Sequence, residues 1–383
     1  MVCYDKFLQE YGDKSFNELP FCDVDNVALT NIFYVPIDKV VPAGIDNEPM
    51  DFTKAAYKMY AYNDFRHKAA GVVLPKGISV NLLSLAACKR YKEIKLVNCI
   101  EVFEREPAVQ FCAVTLLLPD GTTVILYRGT DDTLVGWKED LDIFTRKSIP
   151  SYAFAVDYLE KAVQKYSGDI IICGHSKGGN VALAAALNCS ENARERIKLL
   201  YNNDGPGFAD YDYLSSDAYK SLLPRYRHFV PQSSLIGMLL AHDYDFTVIK
   251  SLRIIGPAEH DACSWVTNGT TLQSKADMTA MAKIGDLVFH NLIFGANEEQ
   301  CAALDACLGN IIDASECRGL LDVVADVPAA VSKIVKCWKN EDENTKTAVK
   351  DTFRPFWKYT VNAFRDVVLA GLDPKDIILG ETK

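Results

Sequence analysis

The stretch from Asp169 to Asn188 constrains this chain more than any other. Asp169-Ile170-Ile171-Ile172-Cys173 is a short, unbroken apolar run. It leads directly into Gly174-His175-Ser176-Lys177-Gly178-Gly179, and the residues from Asn180 to Asn188 are rich in Ala and Leu. A run of that length fits a strand buried on both faces, as in a parallel sheet. Ala and Leu are strong helix formers. The order is therefore strand, tight glycine-flanked turn, helix. A phosphate-binding loop is excluded, because it needs Lys and then Ser or Thr after its last glycine. Here Gly179 is followed by Asn180 and Val181.

The flanking segments repeat the alternation of strand and helix. Val97–Phe103, Ala108–Leu118 and Thr122–Tyr127 are rich in β-branched and aromatic residues, and Pro119-Asp120-Gly121 supplies turn chemistry between the last two. Apolar residues at helical spacing (Phe154, Val156, Leu159, Val163) predict a helix over Tyr152–Tyr166, and Ile197–Tyr201, Tyr226–Val230 and Phe246–Ile254 read as further strands. Strands alternating with helices imply a mostly parallel sheet with helices on its faces. Before this core, helices are expected at Asp25–Tyr34, Thr53–Phe65 and Val80–Tyr91, the last after a turn at Pro75-Lys76-Gly77, with no chemistry assigned to any of them. After Trp265 the pattern is helical, at Ala276–Leu292, Glu298–Leu308, Asp322–Lys339 and Lys346–Leu369. The predicted division is an N-terminal helical segment (1–94) packing on the core, an α/β core (95–270) and a helical C-terminal region (271–383).

Bulk properties narrow the partners. A net charge of −10 disfavours nucleic acid and anionic surfaces, both of which reward Lys/Arg patches. No stretch approaches the roughly 18 consecutive apolar residues of a spanning helix. The first residues lack the basic and apolar regions of a secretory signal. Twelve cysteines in such a chain imply free thiols in a reducing compartment. A cytoplasmic location is expected.

Gly174-His175-Ser176-Lys177-Gly178 fits G-x-S-x-G. In that pattern the serine sits on a strained strand-to-helix turn, and its neighbours two positions away must be tiny for chain and helix to pass. The pattern alone is weak, since chance supplies it in roughly one chain in ten of this length. A glycine-rich turn that merely packs a helix on a sheet would use the same residues. Context makes it specific. Leu126-Tyr127-Arg128-Gly129-Thr130 and then Gly136-Trp137-Lys138-Glu139-Asp140-Leu141 precede the serine turn. These three segments, in this order, resemble the lipase class 3 group of the α/β-hydrolase fold. The resemblance covers roughly Cys99 to Asp204. It implies an oxyanion-hole donor at Thr130, through its backbone N–H and its hydroxyl, and a second at the backbone N–H of Lys177. The chain is similar also to the bacterial Mbeg-like proteins, whose function is uncharacterised. That likeness rests on Asn203-Asp204-Gly205-Pro206-Gly207-Phe208, Val230-Pro231-Gln232-Ser233-Ser234 and His260-Asp261-Ala262-Cys263-Ser264-Trp265.

Six histidines allow elimination. His175 lies within the serine turn and is expected to point away. His67 precedes the core, His290 lies in the helical tail and His228 is mid-strand. Of His242 and His260, the second follows the last predicted strand, where this fold carries its base. The acid is harder. In the lipase class 3 group it follows the strand that here is Tyr226–Val230, but Gln232, Ser233 and Ser234 stand there instead. Asp243 and Asp245 come too late, at the start of the next strand, and Asp261 adjoins His260 in one loop. Asp204 ends the preceding strand on the same edge as Ser176 and is the preferred candidate, although an aspartate before Gly205-Pro206 also suits a plain turn.

The expectation is a serine hydrolase that cleaves carboxylic esters of small molecules or lipids through an acyl-enzyme on Ser176, with no metal or organic cofactor. A thioesterase, amidase or acyltransferase would use the same residues. A non-catalytic scaffold is the reading that the missing acid after Tyr226–Val230 favours.

Overall fold

The computed structural model describes residues 4–62, 78–131, 133–253, 256–315 and 327–379. His67, the turn at Pro75-Lys76-Gly77, Ile254, and the ends of the predicted helices near Phe65 and Asp322 lie outside them. The centre is a mixed eight-stranded sheet whose strands lie side by side in chain order. They are β1 (Met50–Asp51), β2 (Lys95–Glu104), β3 (Val109–Leu117), β4 (Thr123–Tyr127), β5 (Ile170–His175), β6 (Ile197–Asn203), β7 (Tyr226–Pro231) and β8 (Thr247–Ile249). The first four pair antiparallel, and β4 through β8 pair in parallel.

Period-two alternation along the central strands decides which layer each side chain meets. Val124, Leu126, Ile171 and Cys173 join the core beneath the N-terminal residues, which include Phe7, Leu29 and Phe33. Ile125, Tyr127, Ile170 and Ile172 join the opposite core, with Leu159 and Leu183. The helices on the first face are α1 (Asp5–Tyr11), α2 (Asp23–Ile32), α3 (Phe52–Tyr62) and α4 (Ile78–Ala87). The second face carries α5 (Leu134–Thr145), α6 (Pro150–Lys165) and α7 (Lys177–Asn188). Each isoleucine of β5 is fully buried, and burial of such a side chain stabilises by about 1.5–3 kcal/mol.

Parallel pairing has a second consequence. Tyr127 is opposite Gly174, His175 is opposite Asn203, and Asn203 is opposite Phe229. The loops that leave β4, β5, β6 and β7 therefore emerge at one edge of the sheet, where open parallel sheets place their ligands.

Two predicted elements differ. The strand expected over Phe246–Ile254 is confined to β8, because Lys250 turns to bond Val266 and Gln273 and Leu252 bonds Ser264. The helix expected over Lys346–Leu369 breaks at Arg354 and Pro355, since proline lacks the N–H that would continue the ladder. The C-terminal helices are α8 (Ala280–Phe294), α9 (Glu298–Ser315), α10 (Val327–Asn340), α11 (Glu343–Phe353) and α12 (Phe356–Phe364), which runs on into a wider turn over Arg365–Leu369. Among the described residues, no helix is long and apolar enough to cross a membrane.

Candidate active site

Ser176 sits where β5 ends and α7 begins, with φ 58° and ψ −134°. A non-glycine residue in that region is strained by about 1–3 kcal/mol and needs its surroundings to hold it there. They do so through close packing. A side chain at Gly174 would overlap the Gly178 carbonyl, and one at Gly178 would overlap the Tyr127 carbonyl. The Ser176 N–H donates to the Asn203 carbonyl at 3.0 Å, which fixes the turn to β6. The serine is partly exposed, and its hydroxyl has no hydrogen bond among the described residues.

Asp204 follows β6 directly, also at positive φ (53°), and is fully buried. Its Oδ2 lies 2.7 Å from His260 Nδ1. Its Oδ1 accepts the Ser234 hydroxyl at 2.6 Å and the Gly237 N–H at 3.1 Å. The loop after β7, where the expected carboxylate is missing, therefore supplies a donor to the carboxylate of the neighbouring strand. Two of the other candidate acids are engaged elsewhere. Asp243 accepts from Tyr226 and pairs with the buried His228, and Asp261 caps the Cys263 N–H at 3.0 Å.

His260 is held by its backbone as well as by its ring. The Glu259 carbonyl accepts the Trp265 indole N–H at 2.8 Å, and Glu259 Oε2 accepts the Ser233 N–H at 2.8 Å. The His260 carbonyl accepts from His175 Nε2 at 2.8 Å. His175 does not point away as expected. Its ring lies 4.4 Å from that of His260, and its other nitrogen accepts the Tyr34 hydroxyl at 2.8 Å. Burial, together with the nearby His260, holds the His175 imidazole well below its usual pKa, so it is neutral. Tyr34 follows α2, in a segment to which the sequence assigned no chemistry. A side chain at Gly129 would overlap its hydroxyl, so Tyr34 joins the end of β4, the serine turn and the histidine loop. Asn26 of α2 adds a reciprocal amide pair with Asn203, at 2.8 and 2.9 Å.

The proposed oxyanion side departs from expectation in one respect. The Thr130 hydroxyl donates to the Asp140 carboxylate, at 2.8 and 2.6 Å, and is not free for a ligand. The backbone N–H of Thr130 donates to no group among the described residues, and Lys177 opens α7, where a helix leaves N–H groups without intrahelical acceptors. Burial pushes the Asp140 carboxyl up to about 6, against the opposing pull of Lys177 and Thr130. The Lys177 side chain is buried and not solvent-facing. Its ammonium lies 2.9 Å from Glu139 Oε2 and donates to Gln110 Oε1 at 2.8 Å. Glu139 also accepts from Gln110 N–H, Ser151 N–H and the Ser151 hydroxyl, so both of its oxygens are satisfied.

The model of the Mbeg1-like family matches residues 85–306. The chain belongs to the Mbeg1-like family. The matched segment runs from the end of α4 into α9 and contains Thr130, Ser176, Lys177, Asp204 and His260, while Tyr34 and Asn26 lie before it. No curated protein and no solved structure matches the chain. Among the described residues no cluster of His, Cys, Asp and Glu could hold a metal ion.

Proposed function

We propose that this Mbeg1-like protein is a serine hydrolase of the α/β-hydrolase fold, related to the lipase class 3 group and acting on carboxylic esters of small molecules or lipids. The observation that carries the reading is the buried Asp204–His260 pair, 2.7 Å apart, at the sheet edge where Ser176 occupies its strained turn. Asp204 would keep the proton on His260 Nδ1 and leave Nε2 as the base. Nε2 takes the Ser176 hydroxyl proton as Oγ bonds to the ester carbonyl carbon. The tetrahedral oxyanion is held by the N–H groups of Thr130 and Lys177, each donor of this kind contributing about 2.7–4 kcal/mol. Collapse expels the alcohol, which leaves with the proton from His260, and water repeats the sequence to release the acid. The resting hydroxyl makes no hydrogen bond to His260, which is compatible with this role, because such contacts often tighten only around substrate.

Thioesters and amides pass through the same intermediate, so substrate class is decided by turnover and not by this geometry. A fluorophosphonate probe should label the native chain on the peptide containing Ser176 alone, and Ser176→Ala should abolish labelling and ester turnover. A folded native chain that never labels would instead favour a scaffold that keeps the fold without the chemistry.

A further inference from the structure

α12 is apolar on two sides, and among the described residues only one of them is covered. Its inner side places Tyr359, Ala363 and Val367 against Leu287, Val288 and Leu292 of α8. On the outer side Trp357 is 73% exposed, Val361 64%, Phe364 50% and Val368 45%. Their spacing of four, three and four residues keeps them in one row. Phe353 and Phe356 extend the row at its start and Leu369 at its end, all exposed. Soluble monomers scatter such residues singly, whereas a continuous apolar row marks a surface that another body covers.

Charge narrows what that body is. From position 350 to 369 the chain carries Lys350, Arg354, Lys358 and Arg365 against two carboxylates, Asp351 and Asp366, which pair with Arg354 and Arg365. All four cations are exposed, and Lys350 and Lys358 pair with no carboxylate among the described residues. This is local cationic character in a chain whose net charge is −10. Aromatic and aliphatic side chains in a row, flanked by the unpaired Lys350 and Lys358, form the surface that lies in the plane of a lipid interface, the apolar groups among acyl chains and the cations among headgroups.

We infer that the apolar row running from Phe353 at the end of α11, along the outer side of α12, to Leu369 docks the protein on a bilayer surface that carries anionic headgroups. This stands apart from the catalytic proposal, because it uses no residue of the Ser176 site.

The test is flotation of the full chain with vesicles of phosphatidylcholine, with and without phosphatidylserine. Binding is expected to the phosphatidylserine vesicles and to weaken with salt. Trp357→Ser with Phe364→Ser should reduce it by about tenfold or more, because each change removes the burial of a large apolar side chain. Lys350→Glu with Lys358→Glu should weaken binding only where phosphatidylserine is present. These positions are exposed, so folding should survive, and Ser176 labelling in water should match the unaltered chain. The emission lost in Trp357→Phe should be that of a water-exposed indole in buffer and should shift to the blue with vesicles. Three results would overturn the inference. They are failure of the chain to float with either vesicle, a Trp357 emission already blue in buffer, or a dimer that the same serine substitutions split. The last would assign the row to a second copy of the chain. If Ser176 never labels but the chain still floats, the catalytic proposal fails and the docking surface stands.

Discussion

Four non-glycine residues hold a positive φ among the described ones, and two of them are Ser176 and Asp204, just past the ends of the adjacent strands β5 and β6. Strain of this kind persists only where neighbours over-determine it. Here those neighbours reach across the chain, since Tyr34 lies 141 residues before His175 and Asp204 lies 56 before His260. Tyr34 is a positioning residue in this arrangement. Tyr34→Phe removes the donor to a buried imidazole nitrogen, which costs about 1–3 kcal/mol. A lower urea midpoint is expected, along with labelling of Ser176 slowed by about tenfold through a looser His260 loop. Normal labelling in a destabilised but folded variant would confine Tyr34 to the core.

At the scale of elements, α5 and α7 are joined by a buried charge pair, Glu139 with Lys177. Removing one partner of such a pair leaves an uncompensated charge and costs about 3–5 kcal/mol, whereas replacing both with apolar groups is often neutral. Glu139→Leu and Lys177→Met should each lower the urea midpoint strongly, and the double variant should recover much of the loss. Equal losses in all three would mean that the bonds to Gln110 and Ser151, and not the ion pair, hold α5 in place. The turn that the sequence marks so clearly at Ser176 is silent on this point, because the sequence assigns Lys177 only its backbone N–H, and the partner of its side chain is set by the packing of α5 beside α7.

For the molecule as a whole, the C-terminal helices meet the core through α8 and through α9, which packs on α5. Burial pushes Asp286 up to about 8, although the Tyr244 hydroxyl bonded to it at 3.1 Å pulls the other way and Asp373 adds a smaller upward push. His242 Nε2 lies 3.9 Å from the same carboxylate, and burial lowers that imidazole to about 4. The folded state therefore keeps a proton on Asp286 that the unfolded chain, with an ordinary aspartate near ~3.9, has already lost. Stability attributable to this group falls as pH rises from about 4 to about 8 and then levels. His242 works in the opposite sense, but only up to its unfolded value of about 6.5. Between about pH 7 and pH 9 the urea midpoint should fall in the native chain and fall less in Asp286→Asn, which keeps an acceptor for Tyr244 without a charge to bury. Identical slopes would place the pH dependence elsewhere.

Much of the architecture follows from local order alone. The apolar run at Asp169–Cys173, the Pro119-Asp120-Gly121 turn and the helical spacing over Tyr152–Tyr166 depend on side-chain periodicity and turn chemistry, which neighbours along the chain decide. The alternation of strand and helix then brings the ends of β4 to β7 to one edge, which places Ser176 and Asp204 together, while Thr130 is named through the lipase class 3 resemblance and His260 through its place after the last predicted strand. Contacts through space were decided only by the tertiary structure. No spacing rule shows that Ser234 donates to Asp204, that Asp140 takes up the Thr130 hydroxyl, that Lys177 is buried against Glu139, or that Tyr34 reaches His175. Each of these pairs depends on how loops and layers pack around buried polar groups that water no longer satisfies, and that requirement is met by whichever residue the fold brings near.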